Sequence, residues 1–210
     1  MNNEIYNYLD KIIPNPKCEL NYKQDYELLL AVMLSAQTTD KRVNEVTSIL
    51  FKKYPTIKEM KDASINDVVE IIRPIGTYTK KANNIIKIAQ SIYEHGGKVP
   101  CDRKYLESLP GVGRKTANVV LSNLYDVPCI AVDTHVERVS KRLGLVRKNA
   151  DVQAVERKLT KIIPESKQSR MHHQFVLFGR YYCTARNPKC DSCGIQKYCK
   201  YYNKKKSYGK

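Results

Sequence analysis

Apolar residues recur at helical spacing along almost the whole chain, and this periodicity limits the possible fold more than any other feature. Residues three, four and seven positions apart share one face of an α-helix, so such stripes predict helices that bury one side. The predicted helices lie near 26–35, 43–50, 85–93, 136–143 and 152–162. Because no two segments alternate in the manner of paired strands, we expect an all-α protein.

A proline and two glycines interrupt this pattern in Leu109-Pro110-Gly111-Val112-Gly113-Arg114-Lys115. Pro110 ends the helix before it, whereas the glycines permit a tight turn and let a partner come close to the backbone. A further helix is predicted to open near Arg114. Its first N–H groups and positive dipole end form an anion site, so the hairpin is expected to bind phosphate. The expected contact residues are Gly111, Val112, Gly113 and Arg114.

Lys115 and Asp133 are the candidate catalytic residues. Lys115 falls in the first turn of the helix after the hairpin, where the positive dipole end favours an uncharged, nucleophilic amine. Asp133 follows in Val132-Asp133-Thr134-His135, at the position expected to cap a helix that begins at Thr134. A solvated cation and a simple helix cap are the alternative roles of these two side chains.

The chain is strongly basic, with a formal net charge of +16 over 210 residues. From Asp151 onward, 14 basic residues stand against 4 acidic ones, a local excess of +10. Such a surface favours a polyanionic partner, although lysine-rich surfaces can also serve solubility alone. The longest apolar run, 28–34, is far shorter than a membrane span, and the first residues lack the pattern of a signal peptide. We therefore expect an intracellular protein with no membrane partner.

Four of the seven cysteines are concentrated in seventeen residues near the end of the chain. They are Cys183, Cys190, Cys193 and Cys199. Because an intracellular protein seldom carries disulfides, the quartet indicates a metal site, either zinc held by four thiolates or a 4Fe–4S cluster. The remaining three cysteines, Cys18, Cys101 and Cys129, are expected to be small buried side chains.

Four segments together resemble the endonuclease III family of helix-hairpin-helix DNA glycosylases. They are Met33-Leu34-Ser35-Ala36-Gln37-Thr38-Thr39-Asp40, the hairpin with Lys115, Val132-Asp133-Thr134-His135-Val136-Glu137-Arg138, and the cysteine quartet. The resemblance runs over essentially the whole chain. Members of this family remove damaged pyrimidines from DNA and cut the strand at the abasic site. The resemblance thus implies a base excision repair enzyme that is both a DNA glycosylase and an abasic-site lyase.

The resemblance also implies a role for individual residues. Lys115 falls on the family's nucleophile and Asp133 on its catalytic partner. Gln37 falls on the residue that fills the gap left in the duplex when the damaged nucleotide flips out. The quartet has the family's cluster spacing, which selects a 4Fe–4S cluster over zinc. Arg186 and Lys189, beside the cysteines, would then form a rigid phosphate-contacting surface.

The fold implied by the resemblance is all-α and two-lobed. A six-helix lobe with the hairpin would span 22–127, and a cluster lobe would combine 1–21 with 128–210 and hold the cluster loop at 183–199. The expected partner is double-stranded DNA that contains damaged bases or abasic sites, bound by a monomer. The expected location is the cytoplasm of a bacterial or archaeal cell, at the nucleoid.

Two other functions fit part of the sequence. A monofunctional relative that removes adenine opposite oxidised guanine generally lacks the nucleophilic lysine and carries a glutamate where this chain has Ala31. A non-catalytic protein could use the hairpin and the cluster only to dock on DNA. The presence of both Lys115 and Asp133 argues against that second function.

One position departs from the family's pattern. Where the family often carries a leucine wedge after the glycine of a first hairpin, this chain has Thr77. Ile75 and Tyr78 are therefore the candidate residues for propping open the duplex.

Overall fold

The computed structural model describes residues 2–208, with side chains as far as Lys204. Within that range the chain is helical and has no strand, which confirms the all-α prediction. The helices are α1 Asn3–Ile12, α2 Asp25–Leu34, α3 Asp40–Lys53, α4 Ile57–Lys61, α5 Ile65–Ile72, α6 Tyr78–Glu94, α7 Arg103–Ser108, α8 Arg114–Tyr125, α9 Thr134–Leu143, α10 Val152–Ile162, α11 Glu165–Tyr181 and α12 Lys200–Tyr208. A short 3-10 helix, Gln196–Tyr198, precedes α12. None of the described helices is long and apolar enough to cross a bilayer.

The chain divides into two compact units. Glu19–Tyr125 forms one of them, which we call the hairpin unit because it contains 109–113. Met1–Cys18 and Asp126–Lys210 together form the other, which we call the cysteine unit because it contains the quartet.

Helix α2 is the centre of the hairpin unit. All nine residues from Tyr26 to Leu34 are buried, as the continuous apolar run predicts. At its start, the Gln24 N–H donates a hydrogen bond of 3.1 Å to Glu27 Oε2. The helix packs against α3, α6 and α8. Because it is enclosed in this way, its C-terminal end and the segment that follows have a fixed position in the unit.

Helix α9 organises the cysteine unit. It packs against α10, α11 and α12, while α1 packs against α11. The approach of α11 to α9 is close at Gly179, where an added Cβ would lie 2.8 Å from the Cβ of His135. The core around these helices is apolar and includes Leu9, Ile130, Val136, Val139, Leu159 and Phe175. Asp133, which precedes α9, is thereby attached to a well-packed element.

Several residues in the predicted apolar stripes are exposed. Ile49 is 56% exposed, Tyr93 42% and Val152 47%. A helix turns about 100° per residue, so Ile49 lies off the face on which its neighbour Leu50 is buried. The stripes therefore locate the helices correctly but overstate the width of the buried face.

The prediction for the three isolated cysteines was right for one of them. Cys129 is buried, whereas Cys18 is half-buried and Cys101 is exposed. Cys101 lies in the connection between α6 and α7, just before the helix cap Asp102, and connections of this kind run along the surface.

Candidate functional site

The hairpin joins α7 to α8, and two buried apolar side chains anchor it to the protein interior. Leu109 and Val112 are each 5% exposed, and the Val112 N–H donates to the Leu109 carbonyl at 3.1 Å. Between them the backbone turns through Gly111 with φ of +79°. A Cβ at Gly111 would lie 2.5 Å from Asn84 Nδ2, so the turn accepts only glycine. Val112, one of the predicted contact residues, thus serves to anchor the hairpin.

The outer side of the hairpin is accessible. Gly113, Arg114 and Lys115 are all exposed. A Cβ at Gly113 would meet nothing within 4 Å, so no contact inside the protein requires a glycine there. Its missing side chain instead leaves room for a partner to reach the first turn of α8. The N–H groups of a first helical turn attract anions, and the Lys115 amine belongs to the same turn.

Asp133 is the N-cap of α9, as the sequence predicts. Its Oδ1 accepts hydrogen bonds from the N–H groups of His135 at 2.9 Å and Val136 at 2.8 Å. Both bonds go to the same oxygen, so the cap fixes the direction of the carboxylate. The side chain is half-buried. Helix capping and chemistry are therefore compatible at this residue.

Gln37 lies in a short segment that connects α2 to α3. It is exposed and has a left-handed backbone, with φ of +57°. Thr77, at the position of the expected wedge, has the same left-handed φ and is the residue before α6. Of the two alternative wedges, Ile75 is only 1% exposed, so the half-buried Tyr78 presents the larger accessible surface.

The cysteine quartet lines one cavity of about 440 Å³ in the cysteine unit. In the part of the chain with described side chains, no three Cys, His, Asp or Glu residues converge closely enough to hold a single metal ion. A zinc ion requires its thiolates within about 2.3 Å of one point, whereas a 4Fe–4S cluster separates its four iron corners. All four thiols line the same cavity, as the ligands of a 4Fe–4S cluster must.

Burial raises the pKa of the Cys193 thiol. A thiolate there is unfavourable without a cation, and ligation to iron supplies one. The side chain of Gln196 holds the Cys193 loop by donating to the Cys190 carbonyl at 2.5 Å. At Gly194 an added Cβ would lie 2.6 Å from the ring of Tyr8, so this loop packs directly on α1. The quartet is thus fixed by the surrounding chain as well as by its expected metal.

Two arginines of α9 bind the segment that begins the quartet. The Arg138 guanidinium donates to the carbonyls of Gly179 at 2.7 Å and Cys183 at 3.1 Å. Arg142 donates to the Thr184 carbonyl at 2.6 Å and to Cys183 Sγ at 3.4 Å. Burial lowers the pKa of Arg138, and its hydrogen bonds compensate for the water that the guanidinium has lost. Since Asp133 caps the same helix, α9 connects the carboxylate to the first cysteine.

Arg186 and Lys189 lie in the loop between Cys183 and Cys190, and both are exposed. The Lys189 amine lies 5.5 Å from the centre of the Tyr182 ring. The Arg186 carbonyl accepts a hydrogen bond of 2.6 Å from the Thr184 hydroxyl, which holds the loop in a turn. A fixed loop with two accessible cations suits contact with phosphates.

Sequence reasoning missed three contributors to these sites. They are the arginine pair of α9, Asn84 beneath Gly111, and a buried lysine, Lys81, that lies under the Gln37 segment. The arginines had a detectable signal, because Arg138 and Arg142 are four residues apart and so share a helix face. Lys81 had none, since nothing in the sequence distinguishes a buried lysine from the many solvated ones.

Two family descriptions match the chain. Residues 30–165 match the HhH-GPD superfamily of base excision DNA repair proteins, and residues 183–199 match the iron–sulfur binding domain of endonuclease III. The second match covers the segment from the first to the last cysteine of the quartet.

Curated relatives and solved structures give the same result. Endonuclease III of Rickettsia felis is 48% identical, with 96% of this chain and 94% of that protein covered. Endonuclease III of Escherichia coli K12 is 46% identical, with 96% and 95% covered. The structure of a trapped endonuclease III–DNA covalent intermediate superimposes with a TM-score of 0.90 at 47% identity, over 97% of this chain and 98% of that one. A non-covalent endonuclease III–DNA complex gives a TM-score of 0.91 at 45% identity, over 99% of both chains.

The quartet predicts the metal content of the protein. Wild-type protein should contain about four irons and four sulfides per chain and be yellow-brown. Cys190→Ala should lower the iron content and the melting midpoint, because 183–199 loses one of its attachments to the metal. Cys101→Ala is the matched control, since it removes an exposed cysteine outside the quartet and should keep the wild-type iron content. One zinc and no sulfide in active wild-type protein would contradict the assignment.

Proposed function

The chain belongs to the endonuclease III family of helix-hairpin-helix DNA repair enzymes, and on this basis we propose that Lys115 and Asp133 carry its chemistry. The chain is a base excision repair enzyme with a 4Fe–4S cluster. It removes oxidised pyrimidines from duplex DNA and cleaves the strand at the abasic site through a lysine Schiff base. The observation that supports Lys115 is its exposed position in the first turn of α8, directly after an accessible glycine hairpin.

The reaction begins with extrusion of the damaged nucleotide, which costs least where damage has already weakened stacking. The neutral Lys115 amine attacks C1′ of the sugar, and the bond to the base breaks with its electrons leaving on the base. The Asp133 carboxylate accepts a proton from the lysine and stabilises the positive charge that develops on the sugar. The C1′–O4′ bond then breaks with its electron pair on O4′, O4′ takes up the proton that Asp133 accepted, and a protonated Schiff base joins Nζ to C1′.

Strand cleavage follows from the Schiff base. Its positive charge acidifies C2′, a proton leaves that carbon, and the C3′–O bond breaks so that the phosphate departs with the electron pair. Water then releases the unsaturated sugar from Lys115. The cluster, when bound by its four thiolates, supplies a rigid scaffold for the loop with Arg186 and Lys189.

The DNA contacts are divided among several elements. Gly111, Gly113 and Arg114 bind a phosphate at the start of α8, with Val112 anchoring the hairpin from inside. Gln37 fills the gap that the extruded nucleotide leaves. These proposals rest on the exposure of each contacting group and on the buried position of Val112.

We assign the hairpin contacts to a lobe near 22–127 and the cluster to a lobe made of 1–21 and 128–210. DNA is the partner, as it is in the superimposed endonuclease III complexes. We further propose that the protein prefers damaged bases and abasic sites and that it acts as a monomer. Its expected location is the nucleoid of a bacterial or archaeal cell.

Covalent trapping tests the nucleophile. Borohydride should reduce the Schiff base of the wild-type protein and leave it attached to an abasic-site duplex. Lys115→Gln keeps the length and a hydrogen-bonding group but has no amine, so it should bind the duplex while losing trapping and strand cleavage. Lys104→Gln removes an exposed lysine from α7, before the hairpin, and should be trapped like the wild type. Undiminished trapping of Lys115→Gln would exclude Lys115 as the nucleophile.

Salt dependence tests the loop that carries Arg186 and Lys189. Binding to undamaged duplex should weaken steeply as salt rises, because each phosphate contact releases counterions. Replacing both residues by Ala should reduce the log–log slope by about two, roughly one for each lost contact. The double variant Lys52→Ala, Lys58→Ala removes the same charge from exposed positions in the hairpin unit and should keep the slope. Equal slopes in all three proteins would contradict phosphate contact by this loop.

A further inference from the structure

Lys81 is a buried lysine whose amine is fully used inside the protein. The side chain is only 6% exposed. Its Nζ donates to the carbonyl of Leu34 at 3.0 Å, the carbonyl of Ala36 at 2.8 Å and the hydroxyl of Thr38 at 3.3 Å. A lysine ammonium has three N–H donors, so these acceptors match its full capacity. Burial lowers the pKa of this amine, and the three hydrogen bonds compensate for the water it has lost.

All three acceptors of Lys81 belong to one short segment. Leu34 is the last residue of α2, whose carbonyl end attracts a cation. Ala36 and Thr38 are the two residues on either side of Gln37. A single amine therefore ties the end of a buried helix to both neighbours of the exposed glutamine.

The backbone of Gln37 needs such support. Its φ of +57° lies in the left-handed region, which residues with a Cβ adopt only where the surroundings hold them. Other hydrogen bonds also tighten the segment. The Thr38 N–H donates to the Ser35 carbonyl at 3.1 Å, the Thr38 hydroxyl donates to the Ala36 carbonyl at 3.4 Å, and the Ser35 hydroxyl donates to the Val32 carbonyl at 2.8 Å. These bonds are local, whereas Lys81 reaches the segment from α6.

We propose that Lys81 is a positioning residue that holds the backbone around Gln37, so that the glutamine side chain is ready to enter the gap in a duplex. This inference rests on the DNA-contact role proposed above for Gln37. It adds a residue that touches no DNA and that acts only through the conformation of 35–38. Lys81 matters, on this view, for lesion recognition more than for binding intact duplex.

A double-mutant cycle measures whether Lys81 acts through Gln37. The variants are Gln37→Ala, Lys81→Met and the double variant, bound to a duplex with a stable abasic-site analogue opposite 2-aminopurine. Each single variant should weaken this binding by roughly tenfold, and the double variant should be no weaker than either. The 2-aminopurine fluorescence change on binding should fall alike in all three. The affinity of Lys81→Met for undamaged duplex should stay within about twofold of the wild type, because Lys81 touches no DNA.

The control is Lys87→Met, which removes an exposed lysine from the same helix. It should behave as the wild type in affinity and in fluorescence. Single-variant effects that multiply to roughly a hundredfold in the double variant would overturn the proposal. The proposal would also be overturned if Lys81→Met gave the wild-type change in 2-aminopurine fluorescence on binding.

Thr38→Val provides a second route if Lys81→Met does not fold. It removes one of the three acceptors of Lys81, together with the hydrogen bond from the Thr38 hydroxyl to the Ala36 carbonyl. It should reduce the fluorescence change, with no additional effect in a Gln37→Ala background. Additive effects there would count against the proposal equally. Borohydride trapping of the wild type on an abasic-site duplex is measured in parallel. Loss of trapping would show that the proposed function has failed, whereas normal trapping with additive variants would show that only the role of Lys81 has failed.

Discussion

Every α-helix ends in backbone N–H or C=O groups that its own hydrogen bonds do not satisfy, and in this chain such ends hold three of the residues assigned to function. Lys115 lies in the first turn of α8, and Asp133 is the cap of α9. Gln37 follows the last turn of α2, where Lys81 binds the terminal carbonyl. Lys115, Asp133 and Gln37 thus each take their position from a helix end, where backbone groups require a hydrogen-bond partner in any case.

The helix ends can serve this purpose only because the helices themselves are firmly packed. Burial of α2 on all faces contributes far more than its end does, since each fully buried large apolar side chain is worth about 1.5–3 kcal/mol and a good N-cap about 1 kcal/mol. Packing therefore decides where each end lies. The polar contacts then fix the orientation of a side chain at that end. They contribute less free energy than packing does, but the reaction depends on this orientation.

The sequence predicted a large part of this arrangement. Helical periodicity predicted the all-α class, Asp133 was expected to cap α9 and does so, and the resemblance indicated the family. The residue assignments at the sites remain predictions. The prediction that Ile49 and Val152 are buried was wrong, because both side chains are exposed. Periodicity shows which residues can be buried, but it does not show how wide the opposing surface is. The role of Lys81 was invisible, because its three acceptors lie over 40 residues away in the chain.

The Asp133 carboxylate caps α9 and, in the mechanism proposed above, also supplies negative charge to the reaction. The most direct measurement compares Asp133→Asn with Asp133→Ala for the free energy of unfolding and for the rate of strand cleavage at an abasic site. Asparagine keeps the oxygen that caps α9, so Asp133→Asn should match the wild type in stability, while Asp133→Ala should lose about 1 kcal/mol. Both variants should lose roughly a hundredfold or more in rate, because neither supplies negative charge. A wild-type cleavage rate in Asp133→Asn would contradict the account and reduce Asp133 to a helix cap.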